Sequence, residues 1–175
     1  MTDTAPERFE RTRTASLRTL VQYAGSSGDF YEMHYDLPFA RERGHPELSV
    51  HGLLKAAWLG QLVDDWFGGR GRVASFEVSY RGMDFRDQSV TCGGEVIRRE
   101  GSIVELALWT KNADGDTTTT GAAVIELDNP SGVTHDLGRH QDARGTARSS
   151  GGDRRAGVAG AVPRRTQVSH RDPEL

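Results

Sequence analysis

The spacing of hydrophobic residues changes near Gly68. Before this residue they recur every three or four positions, as the side chains on one face of a helix do. Residues 50–67 are apolar around more than half of the helical circumference, which predicts a long helix that is buried on most sides. A shorter pattern that starts near Thr14 or Ser16 and stops at Gly25 predicts another helix.

After Gly68, apolar and polar residues alternate, as they do in strands that bury one face. Four such stretches follow, separated by turn signals at 82–88, 100–101 and 112–116. Residues 7–13 alternate more weakly and predict an additional short strand. We therefore predict an α+β fold in a single domain, with an antiparallel meander that curls around the long buried helix.

Composition divides the chain at about residue 130. Hydrophobic residues make up 35% of the whole chain, but every Phe, Trp and Tyr lies within residues 1–130. Residues 131–175 contain eight Arg and five acidic residues among Gly, Ser and Ala, and they lack the apolar surface that offsets the entropy lost on folding. We predict one folded domain at 1–130 and a disordered tail at 131–175.

The charge of the predicted domain argues against a nucleic-acid partner. Residues 1–130 carry 14 basic and 20 acidic side chains, a net charge of −6, whereas domains that bind nucleic acid present basic surfaces. The single cysteine, Cys92, has no partner for a disulfide, and the N-terminus shows no signal-peptide pattern. The apolar stretch 53–63 is interrupted by Lys55 and is too short to span a bilayer. We expect a cytoplasmic protein without a membrane partner.

Residues 27–36 contain the densest group of side chains that can carry chemistry. Asp29 and His34 are five residues apart in a loop, so a carboxylate and an imidazole can approach one water molecule and move its proton. Gly52 lies at the start of the long helix, where free N–H groups and the helix dipole can stabilise a carbonyl oxygen that gains charge. The same spacing also fits a hydrogen-bonded loop pair without catalysis.

Three histidines raise the alternative of a metal site. His34, His45 and His51 follow one another at spacings of 11 and 6 residues, which match no common pattern of metal ligands. A structural zinc site would also need more cysteines than the chain contains. We expect no metal ion and no bound redox cofactor.

The run from Ser27 to Gly52 resembles the signature of the MaoC-like, hotdog-fold enoyl-CoA hydratases and 3-hydroxyacyl dehydratases. That signature is S-G-D-x-N-P-x-H-x-D-x-x-x-A, followed by a loop and H-G. The matching residues here are Asp29, His34, Asp36, Ala40, His51 and Gly52. The resemblance continues to about residue 127 and does not include the tail.

The resemblance implies a hotdog fold and a hydro-lyase that interconverts a 2-enoyl thioester and a 3-hydroxyacyl thioester. His34 would be the principal acid and base, Asp29 its partner on the water, and Gly52 the N–H donor to the thioester carbonyl. Tyr31 and His51 would contact the substrate. Coenzyme A, as part of the substrate, is the expected acyl carrier, and an acyl carrier protein is the alternative.

The sequence departs from the signature at supporting positions. Its Asn-Pro is Tyr31-Glu32 here, and the usual Pro of a core strand is Met83. The loop also resembles the small subunits of hydratases that act on steroid side-chain CoA thioesters with a related subunit. Two other functions therefore stay open: an acyl thioesterase, and a non-catalytic or partner-dependent subunit of a heteromeric hydratase for steroid or fatty acyl-CoA.

The predicted sheet also bears on assembly. One sheet around one helix leaves a sheet edge unpaired, and pairing with a second unit relieves that exposure. We expect a homodimer, or a heterodimer with a related hotdog subunit.

Overall fold

The computed structural model describes residues 6–128, and the predicted tail at 131–175 lies outside the described residues. Within the described part, strands and helices follow the predicted order. They are β1 (Arg8–Thr14), α1 (Leu17–Ser27), a 3₁₀ turn (Glu32–His34), α2 (Leu37–Glu42), α3 (Gly52–Phe67), β2 (Gly71–Tyr80), β3 (Ser89–Glu100), β4 (Ile103–Lys111) and β5 (Thr117–Leu127).

The helix ends follow local capping groups. The hydroxyl of Ser16 accepts the N–H of Thr19 and begins α1. That helix continues through Gly25, where we predicted its end, and stops at Gly28, which adopts a left-handed conformation with φ of 78°. The long helix α3 begins two residues later than predicted because the backbone of His51 is not helical (φ −54°, ψ 133°).

The five strands form one antiparallel sheet in the order β1-β3-β4-β5-β2. The strands β3, β4 and β5 are consecutive neighbours, as in a meander. The prediction was wrong for β2, which pairs with β5 at the far edge, from Gly71 opposite Leu127 to Tyr80 opposite Thr119. The connection at 81–88 is too long for a tight hairpin. It reaches the start of α3, where the carbonyl of Asp84 accepts the N–H of Val50 at 2.7 Å.

The core lies between α3 and the sheet. α3 contacts β1, β2, β3 and β4. Trp58 and Trp66 of this helix, which was predicted to be buried on most sides, are both buried. The fully buried aliphatic side chains contribute about 2 kcal/mol each; those with no exposed surface include Leu59, Val63, Val104, Leu106 and Ile125. A sheet packed around one long helix is the hotdog arrangement, so the predicted fold is confirmed.

The long helix α3 is mostly apolar, but it also buries a charged residue, Lys55, in its first turn. Within residues 6–128, neither α3 nor any other helix is long and apolar enough to cross a bilayer.

Candidate active site

The segment between α1 and α3 folds around the N-terminal end of α3. Two of its signature residues hold the loop in shape. Asp36 caps α2, because its carboxylate accepts the N–H of Phe39 at 3.2 Å. Ala40, on the same helix, is fully buried in the core. The rest of the segment is thereby free to present polar side chains toward α3.

Asp29 and His34 face each other across the loop. His34 Nε2 lies 3.7 Å from Asp29 Oδ2, which is beyond direct hydrogen-bond reach. The His34 side chain is 8% exposed and that of Asp29 is 39% exposed, so the pair opens to solvent on the carboxylate side. Both atoms can therefore contact one water molecule at that opening.

The hydrogen bonds of His34 determine which of its nitrogens can act as a base. Its Nδ1 lies 2.8 Å from the carbonyl oxygen of Ser49, and the Ser49 hydroxyl is 3.1 Å away. Because a carbonyl oxygen only accepts, Nδ1 carries the hydrogen of the neutral ring. The lone pair of the neutral imidazole is then on Nε2, beside Asp29.

His51 stacks on His34. The two ring centroids are 3.6 Å apart and their planes differ by 20°. His51 Nε2 lies 3.3 Å from the carbonyl oxygen of Asp29, so this nitrogen donates. Burial and the neighbouring His34 lower the pKa of His51, which keeps its ring neutral near pH 7. His51 is fully buried, and its contact with substrate stays a prediction.

Asp29, His34 and His51 bring potential metal ligands within 4.8 Å of one another. A metal ion lies in the plane of each imidazole that binds it, along the lone pair. Two rings that stack at 3.6 Å have separate, nearly parallel planes, and one ion cannot lie in both. His45 is apart from this cluster, with its ring 6.4 Å from that of Phe85. The stacked arrangement therefore does not suit a metal ion bound by both imidazoles.

Gly52 is the first residue of α3. The residue before it, His51, makes no side-chain cap, and the hydrogen bonds to its carbonyl begin with the N–H groups of Leu54 and Lys55. The first N–H groups of the helix are therefore left to bind an external oxygen. A Cβ at Gly52 would lie 3.1 Å from the ring of Tyr80, so the close packing here favours glycine.

Comparison with known proteins identifies the family. A family model described as "MaoC like domain" matches residues 2–117, more than half of the chain. The chain belongs to the MaoC-like domain family. No curated protein sequence matches it significantly.

Solved structures with the same fold include hydratases and dehydratases. This MaoC-like domain is 24% identical to the (R)-hydratase from A. caviae involved in PHA biosynthesis, with a TM-score of 0.66 over 72% of this chain and 98% of that one. It is 20% identical to a chain of the ChsH1–ChsH2 complex from Mycobacterium tuberculosis, with a TM-score of 0.64 over 73% and 99%. For the HadBC (3R-hydroxyacyl-ACP dehydratase) complex from Mycobacterium tuberculosis, the identity is 10% and the TM-score is 0.57 over 67% and 91%. At these identities the likeness establishes the fold alone.

Three tyrosines of the MaoC-like domain border the site. Tyr31, predicted from the resemblance, is 43% exposed, and its ring lies edge-on to that of His34 at 6.3 Å. Tyr23 lies edge-on to His51 at 5.2 Å, and Tyr80 packs on Gly52.

Tyr23 and Tyr80 were not among the site residues predicted from the sequence. Burial raises the pKa of both phenols, with a smaller effect of Asp29 on Tyr23 and of Tyr23 on Tyr80. Both hydroxyls therefore stay protonated at neutral pH. Each tyrosine fits the apolar pattern of its own helix or strand, so nothing local distinguishes it from a core residue.

Proposed function

We propose that this MaoC-like domain is a hydro-lyase that adds water across the 2,3 double bond of an enoyl thioester and catalyses the reverse dehydration. The observation that carries the proposal is the Asp29–His34 pair, 3.7 Å apart, in the loop that leads to the free N–H end of α3. Family membership supports the same class of reaction.

The hydrogen-bond geometry supports a specific course for the hydration. His34 Nε2 and the Asp29 carboxylate each accept a hydrogen from one water molecule. As the water oxygen bonds to C3, its proton moves to His34 Nε2 and the π electrons shift toward the thioester carbonyl. The imidazolium then delivers that proton to C2 and returns to the neutral form, so the net change is addition of one water.

The surrounding groups support each charged species along this course. The Ser49 carbonyl and the Asp29 carboxylate stabilise the imidazolium, because one accepts the Nδ1–H and the other carries a negative charge. The Gly52 N–H is the proposed donor to the developing enolate oxygen, a kind of contact worth about 10²- to 10³-fold in rate. Coenzyme A is the proposed carrier, and an acyl carrier protein is the alternative, since the HadBC complex is named for that substrate.

We also propose that the active form pairs two hotdog units. In the described part of the chain, β2 has a neighbour on only one side. Val73 and Tyr80 on this strand and Leu53 on α3 are each more than a third exposed. Two of the similar structures are named as complexes. Light scattering should give the mass of a dimer, alone or with a related subunit; an active monomer at micromolar concentration would contradict this.

One assay separates the proposed activity from its alternatives. Purified protein is incubated with 2-enoyl-CoA esters of increasing chain length, beginning with crotonyl-CoA, while enoyl absorbance and free thiol are followed together. Loss of absorbance without thiol release is the expected result. Thiol release would indicate a thioesterase, and no change with any ester would indicate a subunit without activity of its own.

The protein does not disturb the thiol measurement. Its one cysteine, Cys92, is buried, and burial raises the pKa of the thiol to about 11. Since the thiolate is the reactive form, the folded protein contributes almost no signal at pH 8. The Asp29→Asn variant at equal concentration is the matched control for contaminating hydratase.

A further inference from the structure

Lys55, in the first turn of α3, forms an ion pair with Asp84 that is buried from solvent. Lys55 is 2% exposed, and its Nζ lies 2.7 Å from Oδ2 of Asp84, whose side chain is 1% exposed. The ammonium also donates to the carbonyl of Gly82 at 2.9 Å. The Thr118 hydroxyl donates to the same carboxylate oxygen at 2.7 Å. The pair therefore joins α3, the 81–88 connection and β5.

Stability alone does not explain this pair. Removing two charges from water costs free energy that their mutual attraction often does not offset. Apolar residues of similar size commonly stabilise such a site as well or better. A cation in the first turn of a helix also opposes the helix dipole. What distinguishes the pair is the backbone that it holds in place.

The backbone around Asp84 pairs with the segment that holds His34 and leads to Gly52. Residues 84–86 lie against residues 48–50 as a short antiparallel ribbon with a bridge between Ser49 and Phe85. In that ribbon the carbonyl of Asp84 accepts the N–H of Val50 at 2.7 Å. The carbonyl of Ser49 in turn accepts the Nδ1–H of His34, and Gly52 follows three residues later.

We propose that the Lys55–Asp84 ion pair positions the hydration site. It clamps the 81–88 connection onto the first turn of α3, and the ribbon transmits that placement to the Ser49 carbonyl and to the Gly52 N–H. Neither side chain touches the proposed reacting atoms, so both are positioning residues. The expected change in kcat rests on the proposed function. The expected change in the His34 tautomer can be measured without any substrate.

The test is a variant that removes both charges of the Lys55–Asp84 pair and keeps side chains of approximately the same shape. Because either single change leaves one buried charge without its partner, the double variant Lys55→Met/Asp84→Asn is the informative one. The matched control is Arg11→Met/Asp65→Asn, which removes a surface ion pair (2.5 Å) near the other end of the same helix. Thr118→Val is a milder second variant. It removes one hydroxyl, which donates to Asp84 and also lies 2.9 Å from the hydroxyl of the buried Thr110.

Two readouts separate positioning from a structural role. Long-range ¹H–¹⁵N NMR of the imidazole should show one Nδ1–H tautomer for His34 in the parent protein and a mixture in the double variant. On the acyl-CoA substrate that the parent hydrates, kcat should fall by about 10²-fold, the size expected when a distant change misplaces a catalytic group by about 1 Å, while KM stays nearly unchanged. Thr118→Val should show the same changes at smaller size.

Several outcomes would overturn the inference. A folded double variant with parental kcat and a single His34 tautomer would show that the pair is structural only. Equal losses in the Arg11→Met/Asp65→Asn control would show a general loss of stability. If the double variant does not fold, Thr118→Val becomes the test. A parental kcat and a single His34 tautomer in that variant would show that the pair does not position the site. If the parent hydrates no ester, the proposed function fails, and the His34 spectrum alone still tests positioning.

Discussion

The two ends of α3 differ in the kind of residue that surrounds them. At the C-terminal end, Trp66 stacks on Phe9 with ring centroids 5.4 Å apart and donates its indole N–H to the carbonyl of Pro6 at 2.8 Å. At the N-terminal end, His51, Lys55 and Asp84 are buried. Two atoms there, His51 Nδ1 and Asp84 Oδ1, have no hydrogen-bond partner among the described residues.

This difference indicates separate roles for the two ends. Buried polar atoms without partners cost stability, and proteins tolerate them mostly where they serve function. Aromatic packing with a satisfied indole N–H stabilises the fold without adding reactive groups. We therefore expect changes at the N-terminal end to affect catalysis more than folding, and changes at the C-terminal end to do the reverse.

The largest expected effect is on turnover, at the N-terminal end. Asp29→Asn and His34→Ala should each lower kcat by about 10²- to 10⁴-fold, the range for a positioned acid or base. The double variant should lose little more, because the two groups act on the same water. Circular dichroism must show that each variant is folded. A folded single variant with full activity on a verified substrate would refute the assignment.

The next effect is on stability, at the C-terminal end. Trp66→Ala should lower the free energy of unfolding by about 3–5 kcal/mol, because it removes a buried indole and its stacking contact with Phe9. Denaturant titration measures this change. Activity per folded molecule should stay near that of the parent protein. If activity fell while the protein stayed folded, the functional separation of the two ends would be wrong.

A smaller effect concerns pH. The pKa of His51 in the folded protein lies below its ordinary value, so the unfolded chain binds this proton first as pH falls. Stability should therefore be unaffected by this group above about pH 6.5 and should decrease as pH drops below it. Comparison with His51→Gln isolates the effect, because the variant should lose less stability between pH 7 and pH 5. Equal slopes would show that His51 is not the group responsible.

Local patterns were sufficient for most of the secondary structure. Helix spacing and strand alternation depend on neighbouring residues, so the buried helix, the short α1 and the strands could be predicted from the sequence. The pairing of Asp29 with His34 is also local, because both lie in one short loop that Asp36 helps to fold. The resemblance to the family signature identified the same two residues and also Gly52, which its position at the start of the predicted helix had already indicated.

The remaining features depend on contacts between distant parts of the chain. Strand alternation does not specify which neighbour a strand takes, so the position of β2 at the far edge could not be read from it. Lys55 interrupts an apolar run and is normally read as an exposed residue, and only the folded connection brings Asp84, 29 residues away, to its ammonium. Tyr80 likewise fits a strand pattern until β2 brings its ring against Gly52. The environment of such side chains depends on which distant segments of the chain pack against them. The periodicity of a sequence reflects only neighbouring residues and does not specify that packing.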